Sequence, residues 1–142
     1  MTEDHEELAP PQLDGLATLL PAFEAADAEL GEWKGGREEQ RGSFVLPWFS
    51  PSELTTEFIE VAYRDGWVRP DFDWSEWAQT PDARRLQDDR GVLEQATVLD
   101  VARLLTVVIR ADRFVEGTLA EALESGLVTA ALRRIEQLRR EG

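Results

Sequence analysis

Apolar residues recur at intervals of three and four positions along much of the chain, the spacing that places side chains on one face of a helix. A first helix is predicted from Asp14, with Pro21 as a break and Gly31 as its stop. A last helix follows Gly126, and its inward positions are Leu127, Ala131, Leu132, Ile135 and Leu138. The pattern predicts an all-α fold.

A second helix has the clearest start signal. Ser50 suits the cap, Pro51 the first helical position and Glu53 the third position of a capping box, and Gly66 is placed to end the helix. Its apolar stripe predicts a buried face. The opposite stripe is acidic and contains Glu53, Glu57 and Glu60.

The most apolar segment is predicted to be the central helix. It begins at Thr97 and runs to about Arg113, and most of its circumference is apolar. Thr118 is predicted to cap the next helix, while Asp73 and Thr80 each mark a short helical turn.

Residues 31–49 interrupt the helical pattern with four glycines, charged residues and large aromatic residues. They predict a long aromatic-rich loop, with one short extended piece at residues 43–46. We therefore expect a single domain over residues 13–142, built as a bundle of about five helices. Residues 1–12 are expected to form an acidic mobile tail.

Charge is distributed unevenly along the 142 residues, whose net charge is -14. Residues 1–60 hold 14 acids and 3 bases, whereas residues 101–142 hold 6 acids and 7 bases. This balance disfavours direct binding to nucleic acid or to an anionic membrane and favours a basic protein partner. The acidic N-terminus and the lack of a long apolar run predict a cytoplasmic protein.

The amino-acid composition excludes most known types of catalytic site. The chain has no cysteine, and its one histidine is His5 in the acidic tail. Thiol nucleophiles, histidine-based triads and most zinc sites are therefore excluded, and we expect no cofactor and no metal. Only carboxylates, Tyr63 and Lys34 remain for acid and base chemistry, so we assign no catalytic residue.

A polar group at the end of the central helix is the candidate ligand site: Arg110, Asp112, Arg113 and Glu116. Helical spacing places Asp112 on the apolar face, where an unpaired charge is costly. These residues form either a salt-bridged clasp onto the next helix or the floor of a cleft that binds a polar ligand.

Five tryptophans are explained most simply as core filling: Trp33, Trp48, Trp67, Trp74 and Trp77. If several are exposed beside the acidic stripe, they would instead form a surface suited to a cationic or peptide partner. The candidate interaction surface comprises Trp33, Trp48, Glu53, Glu57 and Glu60.

Two segments, PSELTTEFIEVAYRDGWV and LLTVVIRADRFVEGTLAEALESGLVTAALRRIEQL, resemble an uncharacterised bacterial family known only as a domain of unknown function. The resemblance runs from about Gly31 to Leu138, and its most recognisable piece is the RADRFxEG-type stretch from Arg110 to Gly117. It implies a single all-α domain and supplies no activity, cofactor or catalytic residue.

Three functions stay open. The first is a small acidic binding or protein-interaction module, with a basic protein or a second copy of the chain as partner. The second is a carboxylate-based enzyme with its site near Arg110, Asp112, Arg113 and Glu116. The third is a nucleic-acid mimic that occupies a basic protein surface. We favour the non-catalytic module.

Overall fold

Helices account for most of the computed structural model, which describes residues 10–34, 37–40, 43–45, 48–70, 72–111 and 117–141. The described part contains eight helices: α1 (Asp14–Glu24), α2 (Glu53–Arg64), α3 (Trp74–Trp77), α4 (Pro81–Asp88), α5 (Arg90–Leu93), α6 (Val98–Ala111), α7 (Thr118–Glu124) and α8 (Leu127–Glu141). The mainly helical prediction is confirmed. The expected number of about five is wrong, because the segment between α2 and α6 forms three short helices.

Two pairs of short strands replace the predicted loop at residues 31–49. The strands are β1 (Gly31–Lys34), β2 (Arg37–Gln40), β3 (Ser43–Val45) and β4 (Trp48–Pro51). β1 pairs with β4 and β2 with β3, both antiparallel. Each strand has only three or four residues, too few for an alternating pattern to stand out from the glycines around it. The expected extended piece at residues 43–46 coincides with β3.

Several predicted helix boundaries are wrong. α1 continues through Pro21, the predicted break, and ends at Glu24 rather than near Gly31. α2 is capped by Ser52, whose side chain accepts a hydrogen bond from Thr55 N, whereas Ser50 lies in β4. Ser50 and Pro51, which the sequence pattern assigned to the start of the helix, instead pair with β1 as part of β4.

α6 is the central helix, as its sequence predicts. Val101, Leu104 and Leu105 are at most 1% exposed. α6 packs against α7 and α8, while α1 packs against α8 and α2. The Asp100 N–H donates to Thr97 Oγ1 at 3.1 Å, which confirms Thr97 as the start signal.

Trp67 lies just after α2 and is completely buried. Its Nε1 donates to the carbonyl of Gln12 at 2.9 Å, and the Gln12 N–H donates to the carbonyl of Asp65 at the same distance. Residues 10–12 are thus held against the end of α2. The rest of the predicted acidic tail lies outside the described residues.

Of the helices that the structure describes, none has the length and apolar character needed to cross a bilayer.

Candidate interaction surface

β1 and β4 form a two-stranded ribbon whose faces carry different aromatic residues. Trp33 pairs with Phe49, and Lys34 pairs with Trp48. Opposed residues of an antiparallel pair project to the same face, and successive residues along a strand alternate between faces. Trp33 and Trp48, which the sequence grouped together, therefore project from opposite faces of the ribbon.

Trp33 attaches the ribbon to α7. Its Nε1 donates to Glu124 Oε2 at 3.1 Å, and its ring meets Phe49 edge to face with the ring centres 5.5 Å apart. Phe49 in turn packs against the hydrophobic core. Although Trp33 is 48% exposed, these contacts give it a structural role, because they hold the ribbon against α7.

Trp48 is the exposed aromatic residue of the opposite face. It is 44% exposed, and Lys34 Nζ lies 5.6 Å from the centre of its ring. Lys34 also lies 3.8 Å from a carboxylate oxygen of Glu32. Because the ammonium group of Lys34 already lies near the Trp48 indole ring, this ring is able to bind a cation through a cation–π interaction.

The ribbon is joined rigidly to the first turn of α2. The Ser52 N–H donates to the carbonyl of Leu30 at 3.0 Å. The same carbonyl accepts from Thr55 Oγ1 at 2.7 Å, and Thr55 is completely buried. Trp48 is thereby held in a fixed position relative to α2.

The outer face of α2 is acidic. Glu53, Glu57 and Glu60 are exposed, and no ion pair forms to any of them within the described residues. Arg64, at the end of this stripe, bonds Asp65 through Nε at 2.8 Å and Nη2 at 3.1 Å, and this contact raises the pKa of Arg64. Asp65 offsets most of this charge and Glu57 makes a smaller contribution, so the three glutamates leave the face with a net negative charge.

Gly31 allows the two strands of the ribbon to approach closely. Its φ is 153°, and an added Cβ would lie 2.6 Å from the carbonyl oxygen of Ser50 and overlap the ring of Phe49. We predict that Gly31→Ala lowers the free energy of unfolding by about 1 to 2 kcal/mol, because a side chain meets both an unfavourable φ and a clash. Urea denaturation monitored by circular dichroism measures this loss.

Gly126→Ala is the matched control for that substitution. Gly126 also has a positive φ, 86°, but nothing lies within 4 Å of an added Cβ. It tests backbone strain alone. An effect of Gly31→Ala no larger than that of Gly126→Ala would contradict the close-approach explanation.

Only part of the predicted polar site lies in the described structure. Arg110 is half-buried in the last turn of α6. Asp112, Arg113 and Glu116 fall outside the described residues, so both the clasp and the ligand site stay predictions.

The described side chains show no metal cluster, and Glu136 is their one carboxyl with a large pKa shift. No group of three acidic or histidine side chains is close enough there to hold a metal ion. Hydrogen bonds from Arg139 and Arg140 lower the pKa of Glu136 to about 2. This carboxyl is stabilised as the anion, which is the opposite of what proton donation at neutral pH requires.

Sequence reasoning missed a cavity of about 340 Å³ beside the start of α8. Arg90, Arg133 and Arg134 line it. Arg90 is far from the other two in sequence, and only the fold brings them together. Residues 101–142 are close to neutral, with 6 acids and 7 bases, so their charge count did not indicate this cluster.

Comparison with models of protein families gives a match over most of the chain. The model of a protein family described as being of unknown function matches residues 8–141, a range that includes both segments that carried the resemblance in sequence. No curated protein and no solved structure matches the chain.

Proposed function

Because the chain belongs to DUF6508, a family of unknown function, we propose its role from its surface: it is a small interaction module that binds a basic partner protein. The binding surface consists of Trp48 on the ribbon and the acidic face of α2. This surface keeps part of the predicted interaction site and reassigns Trp33 to the attachment of the ribbon.

The observation that carries the proposal is the exposure of Trp48 on a ribbon fixed to an acidic helix. Large hydrophobic residues are exposed at only four positions in the described part of the chain: Trp33, Trp48, Tyr63 and Leu99. Trp33 is held by α7, and Leu99 lies on α6. Trp48 has the size and rigidity of an aromatic anchor, the residue type that contributes most at protein interfaces.

Charge supports a basic partner. Glu53, Glu57 and Glu60 occupy positions i, i+4 and i+7 of α2 and share its solvent face. Exposed carboxylates of this kind attract lysine and arginine side chains and accelerate encounter with them. Lys34 at the ring of Trp48 would be displaced or joined by a cation of the partner.

The two alternative functions have less support. A carboxylate enzyme needs a carboxyl with a raised pKa in a cleft, and its candidates, Asp112 and Glu116, are outside the described residues. A nucleic-acid mimic needs a long series of acids, whereas Glu53 to Glu60 extend only about 10 Å along α2 at the helical rise of 1.5 Å per residue.

Selection of a random peptide library on the immobilised protein tests the proposal. We expect the selected peptides to combine lysine or arginine with apolar residues and to bind with micromolar affinity. Trp48→Ala should weaken their binding at least about tenfold, equivalent to about 1.4 kcal/mol. A Glu57→Gln and Glu60→Gln double variant should reduce both the affinity and its dependence on salt.

Two controls match these changes at other places. Leu99→Ala removes an exposed apolar side chain from α6, and a Glu76→Gln and Glu94→Gln double variant removes the same charge elsewhere. Both should bind the selected peptides as the unchanged protein does. Selected peptides without basic residues, or equal binding by Trp48→Ala, would contradict the proposal.

A further inference from the structure

Three arginines line one cavity in a protein of net charge -14. The cavity lies between α5 and the start of α8, and its volume is about 340 Å³. Arg90, Arg133 and Arg134 line it together with the apolar side chains of Leu93 and Ala130. This volume falls in the lower range of small-molecule sites. A concentration of positive charge in an acidic protein requires an explanation.

Among the described residues, Arg90 and Arg134 have no hydrogen-bonded carboxylate. Arg90 donates to the backbone carbonyls of Gln87 at 2.9 Å and Ser125 at 3.1 Å. Arg134 donates through Nε to the carbonyl of Ala96 at 2.7 Å and through Nη1 to the side-chain amide oxygen of Gln137 at 3.1 Å. These acceptors position the guanidinium groups but carry no net charge, so the positive charges remain.

Burial makes the charge of Arg134 costly. Its side chain is 13% exposed, and the ion pair that it makes, to Glu141, is long at 3.9 Å. A cation that has lost most of its water requires compensation by an anion at hydrogen-bond distance. An anion in the cavity would supply that compensation.

Arg133 adds an accessible donor. Its Nε donates to Glu24 at 2.6 Å, and its side chain is 58% exposed. The two Nη groups have no partner among the described residues, and a guanidinium presents them as a fork suited to a carboxylate or phosphate. Glu94 also lines the cavity but is exposed and forms no ion pair with described residues.

The backbone at the start of α8 provides a further positive contribution. α8 has 15 residues and begins at Leu127, directly after Gly126, which lines the cavity. The first turn of a helix carries the positive end of its dipole. The space beside Gly126 is open, since no atom lies within 4 Å of an added Cβ.

We propose that this cavity binds a small organic anion with a phosphate or carboxylate group. The anionic group lies against Arg133 and Arg134, and the apolar part of the ligand contacts Leu93 and Ala130. This site is separate from the proposed protein-binding surface and does not depend on it.

Titration of the ¹⁵N-labelled protein with phenyl phosphate, benzoate and inorganic phosphate, at constant ionic strength, tests the proposal. We expect saturable shifts of the Gly126 and Leu127 amide signals and of the Arg134 Nε signal. Phenyl phosphate should bind more tightly than inorganic phosphate because its ring contacts the apolar part of the cavity. Comparison of phenyl phosphate with benzoate identifies which anionic group the site prefers.

Arg133→Gln and Arg139→Gln form a matched pair of variants. Both remove one positive charge from an exposed arginine of α8, but Arg139 bonds Glu136 and does not line the cavity. Arg133→Gln should weaken phenyl phosphate binding about tenfold, equivalent to 1.4 kcal/mol. Arg139→Gln should leave it unchanged.

Three outcomes would overturn the proposal. One is the absence of saturable shifts up to about 10 mM of every anion, ten times a Kd of 1 mM. Another is an equal response to added sodium chloride, which would indicate charge screening alone. The third is equal weakening by Arg133→Gln and Arg139→Gln.

Discussion

Trp67→Ala is expected to lower the free energy of unfolding by about 4 kcal/mol. The substitution removes the largest completely buried side chain of the described structure. It also removes the Nε1 donor that bonds Gln12 and fixes residues 10–12 against the end of α2. The loss combines a cavity with an unsatisfied carbonyl. Urea denaturation measures the loss, and proteolysis near Gln12 reports the release of the N-terminal segment.

Trp67→Phe is the milder comparison. It keeps an aromatic ring in the core while it removes the Nε1 donor and part of the indole volume, so we expect a smaller loss of about 1 to 2 kcal/mol. Trp48→Ala, at an exposed site, should cost less than about 1 kcal/mol. If Trp67→Ala were as mild as Trp48→Ala, the assignment of Trp67 to the core would be wrong.

The central helix was predictable because its signals are local. Thr97 bonds the backbone of Asp100 only three residues away, and the apolar positions of α6 recur within single turns. The acidic face of α2 follows from the same periodicity. Helical periodicity thus gave both the main element of the core and half of the proposed binding surface.

The ribbon could not be predicted because its bonds are long-range. β1 and β4 are separated by residues 35–47, and their pairing depends on closure of that segment and on the anchor at Leu30. The pairing register places Trp33 and Trp48 on opposite faces. The sequence shows that tryptophans are concentrated in this part of the chain. It does not show which face of the ribbon each tryptophan occupies.

The arginine cavity illustrates the same limit for charge. Arg133 and Arg134 are adjacent in the middle of α8, before the last turn that holds Arg139 and Arg140. Arg90 belongs to a different short helix. Only the packing of α5 against α8 brings the three together, so a count of charges along the sequence could not show their convergence.

Thr106→Val is expected to lower the free energy of unfolding by about 3 kcal/mol, although the two side chains are nearly equal in size. Thr106 is completely buried in α6. Its Oγ1 accepts a hydrogen bond from the backbone N–H of Arg69 at 2.9 Å and donates to the carbonyl of Ala102 at 2.8 Å, with the carbonyl of Trp67 at 3.2 Å as a second acceptor. Valine leaves the Arg69 N–H without this partner at a partly buried contact, and it leaves the carbonyl of Ala102 without the hydroxyl donor inside the core. Urea denaturation gives the size of the loss.

Thr106→Ser provides the control, because it keeps the hydroxyl and removes only a methyl group, at a cost of about 1 kcal/mol. Hydrogen exchange at the Arg69 amide distinguishes the two substitutions directly. Exchange should accelerate in Thr106→Val and remain slow in Thr106→Ser. Equal stability of the valine and serine variants, with unchanged exchange at Arg69, would contradict the role of this hydroxyl. The expected result would establish that one polar atom in the middle of an apolar helix fixes the segment after Trp67 to α6. Helical periodicity alone would have placed Thr106 in the core without showing this hydrogen-bonded connection.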